Sequence, residues 1–295
     1  MHLDERGIIA AVQIATYGPL LLTSLTLAVR EPERRMAWAF ITLMSVLRLI
    51  GAISHIISEG SPTNLTARLI YNIMEAAGQG PLLAATLGFL RTVSRHALDN
   101  TFVFARGMPV FAIAGISGVI LAIVGGARLG SAHNFDEYNV DVNLRHAGLI
   151  LFVVLFAGCL GIMLYCWLYW RIILVYRRRI LIAVTAAMPF LLVRMLYGVF
   201  SAFAPSTVAF RNGHQIPVEP SNSGLGKFSP ASSQWDIYLV MSVLMEWIAI
   251  IIYLVTRLLT PLENDRRADV GDHKDEDDGD SENRKSDVFC LKALA

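Results

Sequence analysis

Apolar residues gather along this chain in seven long runs, at about 7–29, 36–58, 66–90, 108–130, 147–170, 180–203 and 235–258. A helix crossing the hydrocarbon of a bilayer needs roughly 20 mostly apolar residues, and every run reaches that length. The pattern predicts an all-α fold, a polytopic bundle of seven transmembrane helices. Pro19, Gly80-Pro81, Pro109 and Pro189 fall inside the runs, which membrane helices tolerate because neighbouring groups re-satisfy the freed backbone. The connection at 204–234 is long and rich in Ser, Pro, Gly and Asn. It reads equally as a cap over one mouth of the bundle or as a flexible loop. No internal repeat is visible, so residues 1–260 read as one transmembrane domain and 261–295 as an acidic disordered tail.

Arginines set the orientation. The first connection carries Arg30, Arg34 and Arg35, the third Arg91, Arg95 and Arg106, and the fifth Arg171 and Arg177 to Arg179. The alternate connections are poorer, with Arg68, then Arg128 and Arg145, then Arg211 and Lys227. Because cytoplasmic loops collect Lys and Arg, the bias predicts an outside N-terminus and a cytoplasmic C-terminus.

Composition agrees with the pattern. Of 295 residues, 55% are hydrophobic and 17% charged, against about a quarter charged in a soluble domain. The net charge of +1 averages an acidic tail, with eleven acidic and six basic residues from Glu263 onward, against a basic remainder. No basic stripe interleaved with aromatics points to nucleic acid. Cys159 and Cys166 lie in an apolar run and Cys290 in the tail, so no exterior disulfide framework is expected. The first run begins without a basic leader, which argues against a cleavable signal peptide. Asn64-Leu65-Thr66 matches a glycosylation sequon on the expected outer side.

Ionisable residues inside a membrane are costly and normally face the bundle interior. Arg48, Glu75, Arg194 and Glu246 stand in the second, third, sixth and seventh runs, each about nine to eleven residues from the expected outer end. At 1.5 Å per residue all four sit roughly 15 Å deep, near the midplane. Helical spacing adds polar neighbours: Asn72 and Gln79 on the face of Glu75, His55 and Ser45 with Arg48, Tyr197 and Ser201 with Arg194. Tyr238 and Ser242 share a face with Glu246, Asp236 lies near that run's outer end, and Gln13 and Tyr17 supply a similar pair in the first run. The fourth and fifth runs are nearly devoid of such groups. Two readings follow. The charges tie the helices together, or they line an outward-opening pocket in which a protonated Glu75 or Glu246 acts as a general acid. A nearby Arg opposes protonation, so at most one carboxyl is expected to donate a proton.

Several machines are excluded. A retinal protein needs a lysine in its last span, and the first lysine here is Lys227, in a connection. No span carries the paired aspartates of a magnesium-dependent prenyl transferase. There is no H-E-x-x-H, Cys/His metal spacing, G-x-S-x-G elbow or Gly-rich phosphate loop. No cofactor or metal is expected, and the expected partners are membrane lipid and a lipophilic small molecule.

The stretches Leu47-Arg-Leu-Ile-Gly-Ala-Ile-Ser-His55, Gly80-Pro-Leu-Leu-Ala-Ala-Thr-Leu-Gly88 and Met188-Pro-Phe-Leu-Leu-Val-Arg-Met-Leu-Tyr-Gly-Val-Phe200 resemble a family of fungal seven-helix membrane proteins. The resemblance covers most of residues 7–258 and resembles products of secondary-metabolite clusters. There, small membrane terpene cyclases use an embedded carboxylic acid, without metal, on prenylated and often epoxidised substrates. The resemblance implies Glu75 and Glu246 as catalytic acids, with Tyr71, Tyr197, Tyr238 and Trp247 facing a carbocation. Arg48, His55, Asn72, Gln79, Arg194, Tyr197, Asp236 and Tyr238 are the expected substrate-binding residues. The alternatives are a receptor-like sensor and a lipid or small-molecule transporter. An endoplasmic reticulum location suits the cyclase, and the plasma membrane suits the sensor.

Overall fold

A computed structural model describes residues 5–60, 65–95, 106–129, 135–204, 208–211, 214–217, 224–228 and 234–260. The sequon residue Asn64 and the acidic tail lie outside the described residues. The elements are α1 (Glu5–Arg30), α2 (Arg35–Gly60), α3 (Leu65–Ala77), α4 (Gln79–Ser94), α5 (Met108–Leu129), α6 (Phe135–Leu168) and α7 (Val175–Ala202). After these come a short antiparallel pair β1 (Val208–Arg211) and β2 (His214–Pro217), a 3-10 turn at Gly224–Phe228, and α8 (Trp235–Tyr238). A π-helical stretch, Leu239–Leu244, then runs directly into α9 (Met245–Leu259).

Among the described residues six helices are long and apolar enough to cross a membrane: α1, α2, α5, α6, α7 and the continuous stretch Trp235–Leu259. The third expected span is two helices, of 13 and 16 residues. Gly78 joins them with φ −62° and ψ −19°, still right-handed, and its N–H reaches the Met74 carbonyl. Pro81 follows. It has no N–H to offer the Ala77 carbonyl four residues back, which is where the regular helix lapses.

Helix α4 is the axis of the bundle. Every residue in it except Arg91 is buried, and α2, α5, α6 and α7 pack around it. Small residues allow that crowding, as is usual between membrane helices. A Cβ on Gly80 would sit 2.3 Å from the Val119 side chain, and one on Gly88 would sit 2.9 Å from the backbone nitrogen of Ala37. Backbone cannot step aside as a side chain can. Gly88→Val is therefore expected to destabilise the protein by about 1–3 kcal/mol, read as a lowered unfolding midpoint in detergent. Gly161, whose Cβ would meet nothing within 4 Å, should accept alanine without loss. The outer faces carry the apolar residues that water would reject: Leu22, Val29, Val110, Ile113 and Ile116 are all exposed. Lipid is the solvent that suits them.

Contacts at the two ends fix an up-and-down arrangement. At the arginine-rich end, Arg34 donates to the Thr260 carbonyl at 3.0 Å, and Arg257 to Glu31 at 2.7 Å. Arg177 donates to the Thr92 and Arg95 carbonyls, at 2.7 and 2.9 Å. Arg34 and Arg177 thus meet the carbonyls that finish α9 and α4, where the helix dipole is negative. Burial pulls the Arg34 guanidinium down from its usual value, and Glu31 pushes it back up.

At the opposite end the fifth span starts earlier than its hydropathy indicates. Helix α6 has 34 residues, beginning at Phe135, which is about 51 Å of helix. Asp136 and Glu137 complement its N-terminal dipole, and Arg128 of α5 pairs with buried Asp141 at 3.0 Å. Glycines let α5 and α6 touch there: a Cβ on Gly125 would lie 3.0 Å from the Arg145 backbone nitrogen.

Candidate functional site

Four helices deliver one charged side chain each to the middle of the bundle: Arg48 from α2, Glu75 from α3, Arg194 from α7 and Glu246 from α9. None is more than 7% exposed. Arg48 is the hub. Its guanidinium grips Glu246 with two parallel N–H donors, Nε to Oε1 at 2.7 Å and Nη2 to Oε2, and it reaches Glu75 Oε2 with Nη1. Such forked pairing is the geometry arginine favours with a carboxylate. Arg194 closes the ring, with Nη2 at 3.1 Å from Glu75 Oε1 and Nε at 3.5 Å from Glu246 Oε2. Each cation thus bridges both anions.

Neutral donors complete the layer. Tyr17 donates to Glu246 at 2.9 Å, while Tyr238 and Ser242 each donate to Glu75 at 2.9 Å. Gln13 in turn donates to the Tyr238 hydroxyl at 3.2 Å. Every carboxylate oxygen of Glu75 and Glu246 therefore accepts two hydrogen bonds. No oxygen is left to carry a transferable proton while these donors stay in place.

Backbone irregularity borders the charges on two sides. Glu75 stands three residues before the break at Gly78, and Arg194 Nη2 also approaches the Glu75 carbonyl oxygen at 3.4 Å. Ser242 sits in the π-helical stretch, immediately before α9 delivers Glu246. Gln79, the first residue after the break, donates to the Arg194 carbonyl at 3.4 Å. Gly198 leaves room for this position: a Cβ there would fall 2.0 Å from the Gln79 amide nitrogen and the side chain would have to swing aside.

Beside the layer is a cavity of about 40 Å³, with Asn72, Glu75, Gln79, Arg194 and Tyr197 on one side and Arg145 of α6 on the other. It admits a water or the polar head of a small ligand, not a whole prenylated lipid. The Arg194 guanidinium lies 5.7 Å from the Tyr197 ring centre, within reach of a cation–π attraction. Among the described residues Arg145 has no carboxylate partner, and its titratable neighbours are Tyr138 and Tyr197.

The structure brings together most of the expected site residues but not all. Arg48, Glu75, Arg194, Glu246 and Tyr238 share the layer, and Asn72, Gln79 and Tyr197 line the cavity. His55 stands apart, with Nε2 3.3 Å from Glu59 and its ring 4.5 Å from that of Tyr71. Asp236 is exposed at the start of α8. The sequence pattern places Arg145 in a connection, whereas it stands inside α6 and lines the cavity. Its only signal was a lone cation close to the fifth apolar run.

Residues 3–216 match the family model described as a domain of unknown function, DUF7702. The chain belongs to that family. The matched segment holds Arg48, Glu75, Arg145 and Arg194, while Glu246 lies beyond it. No curated protein and no solved structure matches the chain. Among the described residues, no group of three or more His, Cys, Asp or Glu is placed to hold a metal ion.

Proposed function

We propose that this chain is a seven-span membrane protein, N-terminus outside, that binds a small anionic group beside the charge layer and works as a sensor or carrier. It acts by moving helices rather than by chemistry on a substrate. The observation that carries this reading is the double engagement of Arg194. One guanidinium faces the cavity and also holds both the side chain and the carbonyl of Glu75, just ahead of the break in the third span. A ligand that draws Arg194 away releases α3 from α7, so binding and helix movement share one group. Arg145 supplies the preference for an anion. Three arginines, 48, 145 and 194, face two glutamates, leaving one positive charge without a counter-charge among the described residues. Leu149 and Phe152 on the cavity wall suit the first carbons of a short apolar tail, the rest of which lies outside so small a volume.

The test uses protein in phosphatidylcholine nanodiscs, titrated with hexanoate and, separately, hexylamine. Hexanoate at a hundred times its dissociation constant stabilises by about 2.7 kcal/mol, seen as a rise of several degrees in the unfolding midpoint. Arg145→Gln should abolish the rise without lowering the unliganded midpoint. An equal response to hexylamine, or an undiminished response in Arg145→Gln, overturns the reading. Labelled hexanoate flux into proteoliposomes then separates carrier from sensor.

A second reading, the metal-independent terpene cyclase, draws on the aromatic group seated on the layer. The Tyr197 and Tyr238 rings lie 6.2 Å apart, with Phe228 6.4 Å from Tyr197. It requires Glu75 or Glu246 to shed donors before it can protonate anything. Microsomes incubated with an epoxidised meroterpenoid test it: cyclised product that persists in both Glu75→Gln and Glu246→Gln removes the acid role.

A further inference from the structure

A second cavity, of about 390 Å³, opens at the arginine-rich end, between the start of α2 and the end of α4. Arg35, Arg91 and Arg95 line it, with Glu33 as the acid of its wall. Glu33 is already committed, since Arg177 Nη2 lies 3.4 Å from its Oε2. The three arginines have no carboxylate partner among the described residues. Among the described residues the Arg91 guanidinium makes only a long contact to the Met36 sulfur, at 3.8 Å.

The frame around them is built rather than incidental. Arg177 is buried and ties the α4 carboxyl end to the loop before α2 through the Thr92 and Arg95 carbonyls and Glu33. Thr92 donates to the Glu33 carbonyl at 3.2 Å, closing the same corner. Gly88 and Ala37 hold the two helices in contact one turn deeper. Arg91 stands in the last turn of α4 and Arg95 is the residue that caps it, and both line the groove together with Arg35. The groove lies where the apolar runs of both helices end, which is headgroup depth for a bundle of this kind. Three positive charges, hydrogen-bond forks and a membrane boundary are what a phosphate on a glycerolipid requires.

We propose that the groove between α2 and α4 binds the phosphate headgroup of an anionic phospholipid, with Arg35, Arg91 and Arg95 as its ligands. The shared chemistry is a phosphate oxyanion, and the membrane is its source rather than a soluble phosphate. This rests on the membrane embedding of the bundle and not on the sensor or carrier reading, which concerns the other cavity.

The test is native mass spectrometry of the full chain in neutral detergent, with phosphatidic acid, phosphatidylcholine and glycerol 3-phosphate as the three probes. Phosphatidic acid should bind with defined stoichiometry, and phosphatidylcholine should bind much more weakly. Each arginine near an anionic headgroup contributes roughly fivefold, about 1 kcal/mol. Arg35→Gln/Arg91→Gln/Arg95→Gln should therefore weaken phosphatidic acid binding roughly a hundredfold. The triple lysine variant should keep most of the binding, which shows that charge and not fold is lost. Equal binding of both lipids, or unchanged binding in the glutamine variant, overturns the site. Glycerol 3-phosphate binding as tightly as phosphatidic acid overturns the lipid as its source.

Discussion

Arg48→Met is expected to cost about 3–5 kcal/mol of stability, the usual penalty for removing one partner from a buried ion network. Arg48 supplies three of the hydrogen bonds that Glu75 and Glu246 accept. Without it, two buried carboxylates share Arg194, whose contacts are longer, at 3.1 and 3.5 Å. Arg194→Met should cost less, because Arg48 still bridges both acids. The double replacement Arg48→Met/Glu246→Met should be more stable than either single one. It leaves one cation facing one anion, and buried pairs replaced by apolar residues of similar volume are often neutral. Equilibrium unfolding in mixed micelles measures the four variants against the unsubstituted protein. A double variant that loses the sum of the two single losses would show that Arg48 and Glu246 do not act as a pair.

Arg177→Gln should cost about 3–6 kcal/mol, since hydrogen bonds from a charged donor are worth roughly 1.5–3 each and two of the three this side chain makes are short. Two of those bonds satisfy carbonyls at the end of α4, and the third holds the loop that leads into α2. The loss should appear first at the arginine-rich end, as faster amide exchange over residues 31–36 and 90–95. Arg35→Gln, an exposed neighbour, should change stability by less than about 0.5 kcal/mol. Equal effects of the two substitutions would show that Arg177 is not the clamp of that end.

The common depth of Arg48, Glu75, Arg194 and Glu246 was legible because apolar runs have countable ends and a helix rises by a fixed step. Which cation meets which anion was not legible. Depth does not give rotation about the helix axis, and in fact each arginine bridges both acids. His55 shares a helical face with Arg48 at seven residues' spacing, yet nearer the end of α2 it turns to Glu59 and Tyr71. The early start of α6 escaped for a different reason. Asp136, Glu137, Asp141, Arg145 and His146 look like a connection to any hydropathy window. Contacts with α5 and α7 keep them helical: Arg128 on Asp141, and His146 Nε2 at 3.0 Å from the Ala202 carbonyl. Gly78, Gly80 and Pro81 were visible within a continuous run, but only packing decides whether such residues bend a span or divide it. The hairpin of β1 and β2 falls in the connection that read equally as cap or loop. Its one signal was Asn212-Gly213, a pair that favours two-residue turns.

Infrared spectroscopy on protein carrying isotope-labelled glutamate, in nanodiscs without ligand, tests most directly whether the charge layer is a closed ionic latch. The carbonyl stretch of a protonated carboxyl is compared among the unsubstituted protein, Glu75→Gln and Glu246→Gln. Because every oxygen of both acids already accepts two donors, neither substitution should remove a protonated-carboxyl band. Loss of such a band in either variant would contradict the latch and identify that glutamate as an acid poised to give up its proton.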